Sequence, residues 1–260
     1  MSNNKVQRGQ ASEEANFHNK LLQGERRAIS RVERFVLSLY PQMPNLTDKI
    51  FKAIGQVNGK RVCEIGCGSG GLTRELAIRG AYVSASDVSA EAVKRALKIN
   101  EEFIPKQVDL NEMDACNLLY SNESFDLVVG ISVLHHVDIN KAINEINRVL
   151  KPGGKAVFIE PLVHNPISNL WRKLSPSART PDERPLSYSE LSKLGKQFSS
   201  MRYQEFALLT LLSSFVYLIT HSHKAKRKSA EILAKLEPAF LKIFRPFRRY
   251  SGAILIEFTK

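Results

Sequence analysis

One stretch constrains the fold more than any other. Glu64-Ile65-Gly66-Cys67-Gly68-Ser69-Gly70-Gly71 comes straight off a short apolar run and opens a helical pattern. Small residues at a strand-to-helix turn let the backbone reverse sharply and approach a ligand closely. Read literally, Gly66, Gly68 and Gly71 satisfy GxGxxG, a spacing that alone is compatible with a dinucleotide. Charge argues otherwise. A dinucleotide would put an anionic pyrophosphate at this helix N-terminus, and Glu64 at the strand's end would repel it. A sulfonium with an attached ammonium group would be attracted by the same carboxylate. Asp87 closes the next strand about 20 residues past the glycines, where an acid can hold ribose hydroxyls in either case.

Around this turn, strand and helix patterns alternate. Apolar runs predict strands at 61–65, 81–86, 106–111, 125–131 and 155–160, with further strands at 202–209 and 253–259. Helical spacing falls at 72–79, 90–100 and 139–150, and Gly80 closes the first of these. Lys151-Pro152-Gly153-Gly154 reads as a tight turn. Near-continuous apolar strands in a βαβα order predict a parallel sheet covered by helices on both faces. Residues 1–12 read as disordered, 12–40 as a helix ended by Pro41 and Pro44, and a short helix follows with Ile50, Phe51 and Ile54 on its apolar face. Pro161 to Pro185, with five prolines, reads as a loop-rich insertion at a strand's carboxyl end, where open α/β sheets bind ligands. Tyr188 to Phe198 reads as a helix and Leu211 to Tyr250 as a basic helical stretch. Three regions result: an N-terminal helical extension (1–44), a cofactor-binding core (45–160), and the remaining sheet with lid insertions (161–260).

Several segments in register resemble the class I, S-adenosylmethionine-dependent methyltransferases. Val62 to Gly70 looks like their first motif. Asp114-Ala115, Ser124 to Val129, Ser132-Val133-Leu134-His135-His136 and Arg148 to Gly154 look like the later ones. The resemblance is strong over roughly 45–160 and loose elsewhere. It implies a Rossmann-like sheet of seven strands in the order 3-2-1-4-5-7-6, mainly parallel, with the last strand antiparallel. It also implies roles. Glu64, Gly66, Gly68 and Gly70 would frame the methionine part of S-adenosyl-L-methionine. Asp87 would chelate the ribose hydroxyls and Val88 would pack on adenine. Asp114 would accept from the adenine amine beside the Ala115 backbone, and Ser132 would line the sulfonium side. The competing readings are a helix N-cap for Asp87 and a turn residue for Asp114.

Methyl transfer needs alignment above all, and a base where the acceptor carries a proton to be lost. His135 and His136, just after the fourth strand, are the catalytic candidates, against packing or capping. Glu160 and His164, after the fifth strand, are candidates for the substrate side. Arg172 and Arg179 would pair with an acceptor carboxylate or phosphate, against surface salt bridges. Gly130-Ile131-Ser132-Val133 lacks the proline-rich signature of enzymes that methylate base amines, and no Pro-Cys pair serves a cytosine C5 mechanism. No zinc ligand set is legible, and His221-Ser222-His223 lies among lysines. A small-molecule or lipid-like acceptor is therefore expected, and nucleic acid is not. An RNA methyltransferase and a non-catalytic cofactor-binding regulatory subunit stand as the alternatives.

The net charge of +12 is uneven: residues 1–40 carry +3, 221–260 carry +7, and 41–220 carry +2. A basic end suits an anionic membrane surface, RNA or solvent alone. The N-terminus lacks an apolar signal region, and the apolar run Phe206 to Thr220, too short for a membrane span, reads as a buried strand and helix. Cys63, Cys67 and Cys116 form no even framework, which fits a reducing, cytoplasmic setting. Peripheral membrane contact through the basic C-terminal region is the added expectation.

Overall fold

Strand β1 (Arg61–Ile65) alternates its side chains between two hydrophobic layers, and this places it at the centre of the molecule. Val62 joins one layer with Leu127, Val129 and Val157; Cys63 and Ile65 join the other with Phe125, Val128 and Phe158. Both faces of the strand are thus covered, as its continuous apolar sequence requires. The computed structural model describes residues 11–20, 43–44, 46–104, 106–176, 180 and 183–260. Most of the predicted 12–40 helix lies outside them; residues 11–20 are helical.

Seven strands form one sheet in the order β3-β2-β1-β4-β5-β7-β6. They are β1, β2 (Tyr82–Asp87), β3 (Val108–Glu112), β4 (Phe125–Ile131), β5 (Leu150–Pro161), β6 (Ser200–Phe206) and β7 (Ala253–Thr259). Neighbours from β3 to β5 run parallel, and β7 runs antiparallel to both β5 and β6. Helices α1 (Leu46–Ile54), α2 (Gly71–Ile78) and α3 (Ala90–Ile99) cover one face through Ile50, Ile54, Leu76 and Ala96. Helix α4 (Ile139–Val149) covers the other with Ala142, Ile143, Ile146 and Val149, a helical repeat of buried positions. The helices start where their caps lie: Ser89 accepts from the Ala92 amide ahead of α3, and Asp138 from the Lys141 amide ahead of α4.

Three expectations change. Lys151 to Gly154 is a kink inside β5 and not a turn before it. Pairing jumps from Phe125–Leu150 to Leu127–Lys155, and Gly153 takes a φ of 73°. The kink keeps its hydrogen bonds, because the Gly153 amide donates to the Lys260 carbonyl and the Lys260 amide to the Gly154 carbonyl. The proline-rich insertion contains helix α5 (Pro166–Leu174), capped by Asn165 and begun by a proline at its first turn, where a missing N–H costs nothing. Helix α6 (Tyr188–Gly195) precedes β6 as expected, and the helical stretch 211–250 holds α7 (Ser213–Thr220) and α8 (His223–Ile243). The run expected to be buried leaves Phe215 and Ile219 exposed on α7.

Two glycines of similar φ separate strain from packing. A side chain at Gly70 (φ 82°) would meet Asn100 Nδ2 at 2.6 Å and Ala96 Cβ at 2.8 Å, whereas one at Gly153 (φ 73°) would meet open space. Gly70→Ala is expected to cost roughly 2–4 kcal/mol in urea unfolding and Gly153→Ala roughly 1 kcal/mol. Equal costs would show that conformation alone governs both.

Candidate functional site

A cavity of about 330 Å³ opens at the carboxyl ends of β1, β2 and β4. Gly66, Gly68, Ser69, Asp87, Val88, Asp114, Ala115, Ser132 and His136 line it, together with Glu14 and His18 from the N-terminal helical segment. Of the residues singled out in the sequence, seven cofactor candidates and one histidine therefore converge.

The loop after β1 is built by positive φ. Gly66 (69°) passes so close to Val133 that a Cβ would lie 2.8 Å from its Cγ2, while the space beside Gly68 (52°) is open toward the cavity. Gly70 is absent from the cavity wall and instead packs α2 against α3. Asp87 ties this loop to the next. Its Oδ2 accepts the Gly68 amide at 2.9 Å and its Oδ1 the Ser89 amide at 2.9 Å. The helix cap is Ser89, so Asp87 is not one. A carboxylate offers about four acceptor sites, which leaves capacity on both oxygens for hydroxyls. Asp114 is a turn residue, since its Oδ1 accepts the Cys116 amide at 2.8 Å, and it also lines the cavity. Ser132 holds a φ of 57°, unusual for a residue with a side chain, and its amide donates to the Ile159 carbonyl at 2.8 Å.

Glu64 lies behind the wall, 2% exposed, and accepts the Thr73 hydroxyl at 2.6 Å. Burial pushes its carboxyl up to about 8; the Thr73 bond opposes this and the Asp87 charge adds to it. Burial therefore works against the carboxylate charge assumed from the sequence.

The histidine pair divides. His135 is buried and Nδ1 lies 2.6 Å from Glu160 Oε2. Glu160 Oε1 accepts the Val133 and Leu134 amides at 2.9 and 2.8 Å. Both residues are absent from the cavity wall, and Glu160 holds the turn after β4 rather than a substrate. His136 points the other way, with Nδ1 2.9 Å from Glu14 Oε1 and 3.3 Å from Thr180 Oγ1. Burial works against its protonation, but Glu14 outweighs it and the His136 pKa is raised. Burial would likewise raise the Glu14 carboxyl, yet hydrogen bonds from His136 and His18 hold it down at about 2. His164 stacks on Tyr188, away from the cavity. Arg172 hydrogen-bonds Asn169 at 2.6 Å and pairs with Glu183 at 3.4 Å, a local salt bridge. Arg179 lies outside the described residues.

Sequence reasoning missed Glu14, His18 and Asn19. Asn19 Oδ1 receives the Ser89 hydroxyl at 2.6 Å and the Glu91 amide at 3.1 Å, docking the N-terminal segment on α3. Their i, i+4 spacing was visible, but a partner more than a hundred residues away was not.

Residues 63–158 match a family model described as a methyltransferase domain. A ubiquinone biosynthesis O-methyltransferase of Alkalilimnicola ehrlichii is 34% identical over 134 residues, covering 49% of this chain and 52% of that protein. A demethylmenaquinone methyltransferase of Clavibacter sepedonicus is 31% identical over 136 residues, covering 48% and 54%. The chain thus spans about half the length of these curated relatives. Among solved structures, a geranyl diphosphate C-methyltransferase from Streptomyces coelicolor, bound to Mg2+, geranyl diphosphate and S-adenosyl-L-homocysteine, superposes with a TM-score of 0.64 at 14% identity, covering 96% of this chain and 97% of that one. A Haemonchus contortus phosphoethanolamine N-methyltransferase in complex with S-adenosyl-L-methionine gives 0.61 at 20% identity, covering 88% and 56%. At such identities the likeness is one of fold.

The buried Glu64 carries a pH signature. Its folded-state pKa lies above the ordinary carboxyl value of 4.5, so the folded protein binds more protons than the unfolded chain between about pH 4.5 and 8. Stability should fall as pH rises through that window. Glu64→Gln keeps an acceptor for Thr73 and should flatten the profile, as urea unfolding between pH 5 and 8 would show. Parallel profiles for the two proteins would contradict it.

Proposed function

We propose that the chain transfers the methyl group of S-adenosylmethionine to a small, lipid-like acceptor, a reading supported by the match of residues 63–158 to a methyltransferase-domain model. The observation that carries this reading is the cavity itself. It lies at the carboxyl ends of the central strands, with open space beside Gly68 and two aspartates in its wall.

The residues present fit the cofactor. Asp87 would take the ribose hydroxyls on its remaining acceptor sites, with Val88 against the adenine. Asp114 would accept from the adenine amine and Ala115 would lie beside it. Gly66 and Gly68 would let the methionine part approach the backbone, and Ser132 would face the sulfonium. S-adenosylmethionine supplies a methyl group already activated on sulfur, so the protein's task is alignment and exclusion of water. Glu64 acts from behind the wall, where a cationic ligand would draw its carboxyl toward the ionised form. An acceptor hydroxyl or acidic carbon must release a proton. Of the two histidine candidates only His136 lines the cavity, while His135 is held by Glu160.

Support for a lipid-like acceptor comes from the curated relatives named for ubiquinone and menaquinone and from the surface of the C-terminal elements. Phe215, Ile219, Phe244 and Phe247 are exposed large apolar side chains near Lys224, Arg227, Lys228, Arg245, Arg248 and Arg249 in sequence. Lys224, Arg227 and Lys228 sit in the first turns of α8, at the positive end of its dipole, where an anion is favoured and a cation is not. Among the described residues no helix is long and apolar enough to cross a membrane. The reading is of a cytoplasmic enzyme that touches an anionic membrane surface peripherally.

Calorimetry tests the first part. The protein should bind S-adenosylmethionine and not NAD. Asp87→Ala should weaken binding by roughly 2–4 kcal/mol, the worth of two charge-assisted hydrogen bonds, and Gly68→Val at least as much. Unchanged affinity in both variants would overturn the assignment. Liposome sedimentation tests the second: the protein should pellet with anionic vesicles at low salt and stay in solution with neutral ones, and equal recovery in the supernatant would reject docking.

A further inference from the structure

Glu14 is the unexpected group in this cavity. It is buried, yet it comes from a helical segment that shares no strand with the sheet. Its Oε1 stands 2.9 Å from His18 Nε2, one helical turn on, and 2.9 Å from His136 Nδ1, in the turn after β4. One oxygen thus sits between two imidazoles, one from the N-terminal helical segment and one from the turn after β4. The donor atoms of the three residues all lie within 4.8 Å of one another, and all three residues line the cavity. We propose that Glu14, His18 and His136 bind a divalent first-row transition metal ion, with zinc as the best fit, at the wall of the cavity.

Donor chemistry supports the choice. Two imidazoles and one carboxylate suit zinc or iron(II) and not calcium or magnesium, which prefer oxygen. Zinc–nitrogen and zinc–oxygen bonds of about 2.0–2.1 Å in a tetrahedron put neighbouring donors about 3.3 Å apart. The two Glu14 contacts are already close to that, so a small movement of the imidazoles would admit the ion. Three protein ligands would leave one position free, the arrangement of an open site and not a closed structural one. That position would take a water or an oxygen of the acceptor. The ion would also cross-link the N-terminal helical segment to the turn after β4. Thr180 Oγ1, 3.3 Å from His136 Nδ1, stands beside the site. The inference goes beyond methyl transfer and does not require it.

The test uses the full chain, stripped with chelator and titrated with Co2+ and then Zn2+. Wild type should bind one Co2+ per chain, with visible d–d absorption, no thiolate charge-transfer band, and displacement by Zn2+. Glu14→Gln, His18→Ala and His136→Ala should each weaken binding at least tenfold, with folding checked by circular dichroism. His221→Ala, His223→Ala and Cys116→Ser should bind as wild type does. Zn2+ should raise the melting temperature of wild type and not of His18→Ala, a readout that needs no colour. No Co2+ bound to wild type, or binding that survives loss of either histidine, would overturn the proposal. S-adenosylmethionine binding measured on the metal-free protein separates the two readings: it fails only if the methyltransferase reading fails.

Discussion

The carboxylate of Glu160 fixes the part of the molecule on which the rest of the site depends. It is fully buried at the end of β5 and takes three donors from the turn after β4: the Val133 and Leu134 amides and the His135 ring. An isolated carboxylate there would be strongly unfavourable, but three charge-assisted hydrogen bonds satisfy it. In return it stabilises a turn that begins with Ser132 in the left-handed region, a conformation costing roughly 1–3 kcal/mol. The turn decides which histidine faces where. His135 is drawn inward, so its neighbour His136 is turned to the cavity.

The same arrangement recurs on the opposite side of the sheet. Ala207, at the end of β6, also has a positive φ, and the buried Glu237 of α8 accepts the Ala207, Leu208 and Leu209 amides at 2.6–2.7 Å. Each carboxylate gathers the free amides of a chain leaving the sheet. Glu160 does so for the cavity wall, and Glu237 fastens the C-terminal helices. The elements proposed to meet a membrane are therefore fixed to β6 by a single buried acid and not by apolar packing alone.

Most of the sheet was legible because its signals are local. The apolar run of β1, the glycines, the cap at Ser89 and the repeat on α4 each lie within a dozen residues, and the resemblance of the motifs supplied the strand order. Helix α5 was not read, because the density of prolines obscured the start signal Asn165-Pro166. The kink in β5 was read as a free turn because its partners, Asp126 with Lys151 at 2.7 Å and Lys260 with Gly154, come from distant strands. The pairing of His135 with Glu160, which removes both from the cavity, depends on side-chain direction that sequence does not show. Glu14 was beyond reach for the same reason, as nothing local distinguishes it from a solvated helix carboxylate.

The position of β7 has a consequence for synthesis. The strand made last among the seven is an interior one, paired along its length with β5 on one side and β6 on the other. A ribosome delivers the chain in order, so β5 emerges with one edge open and β6 has no partner until α7 and α8 have followed it. Throughout that interval the nascent protein displays an unpaired apolar edge, with Val157, Phe158 and Ile159 beside it, the kind of surface that invites pairing with another chain. Cellular yield should then depend less on the stability of the finished protein than on chaperone occupancy of the β5 edge during elongation.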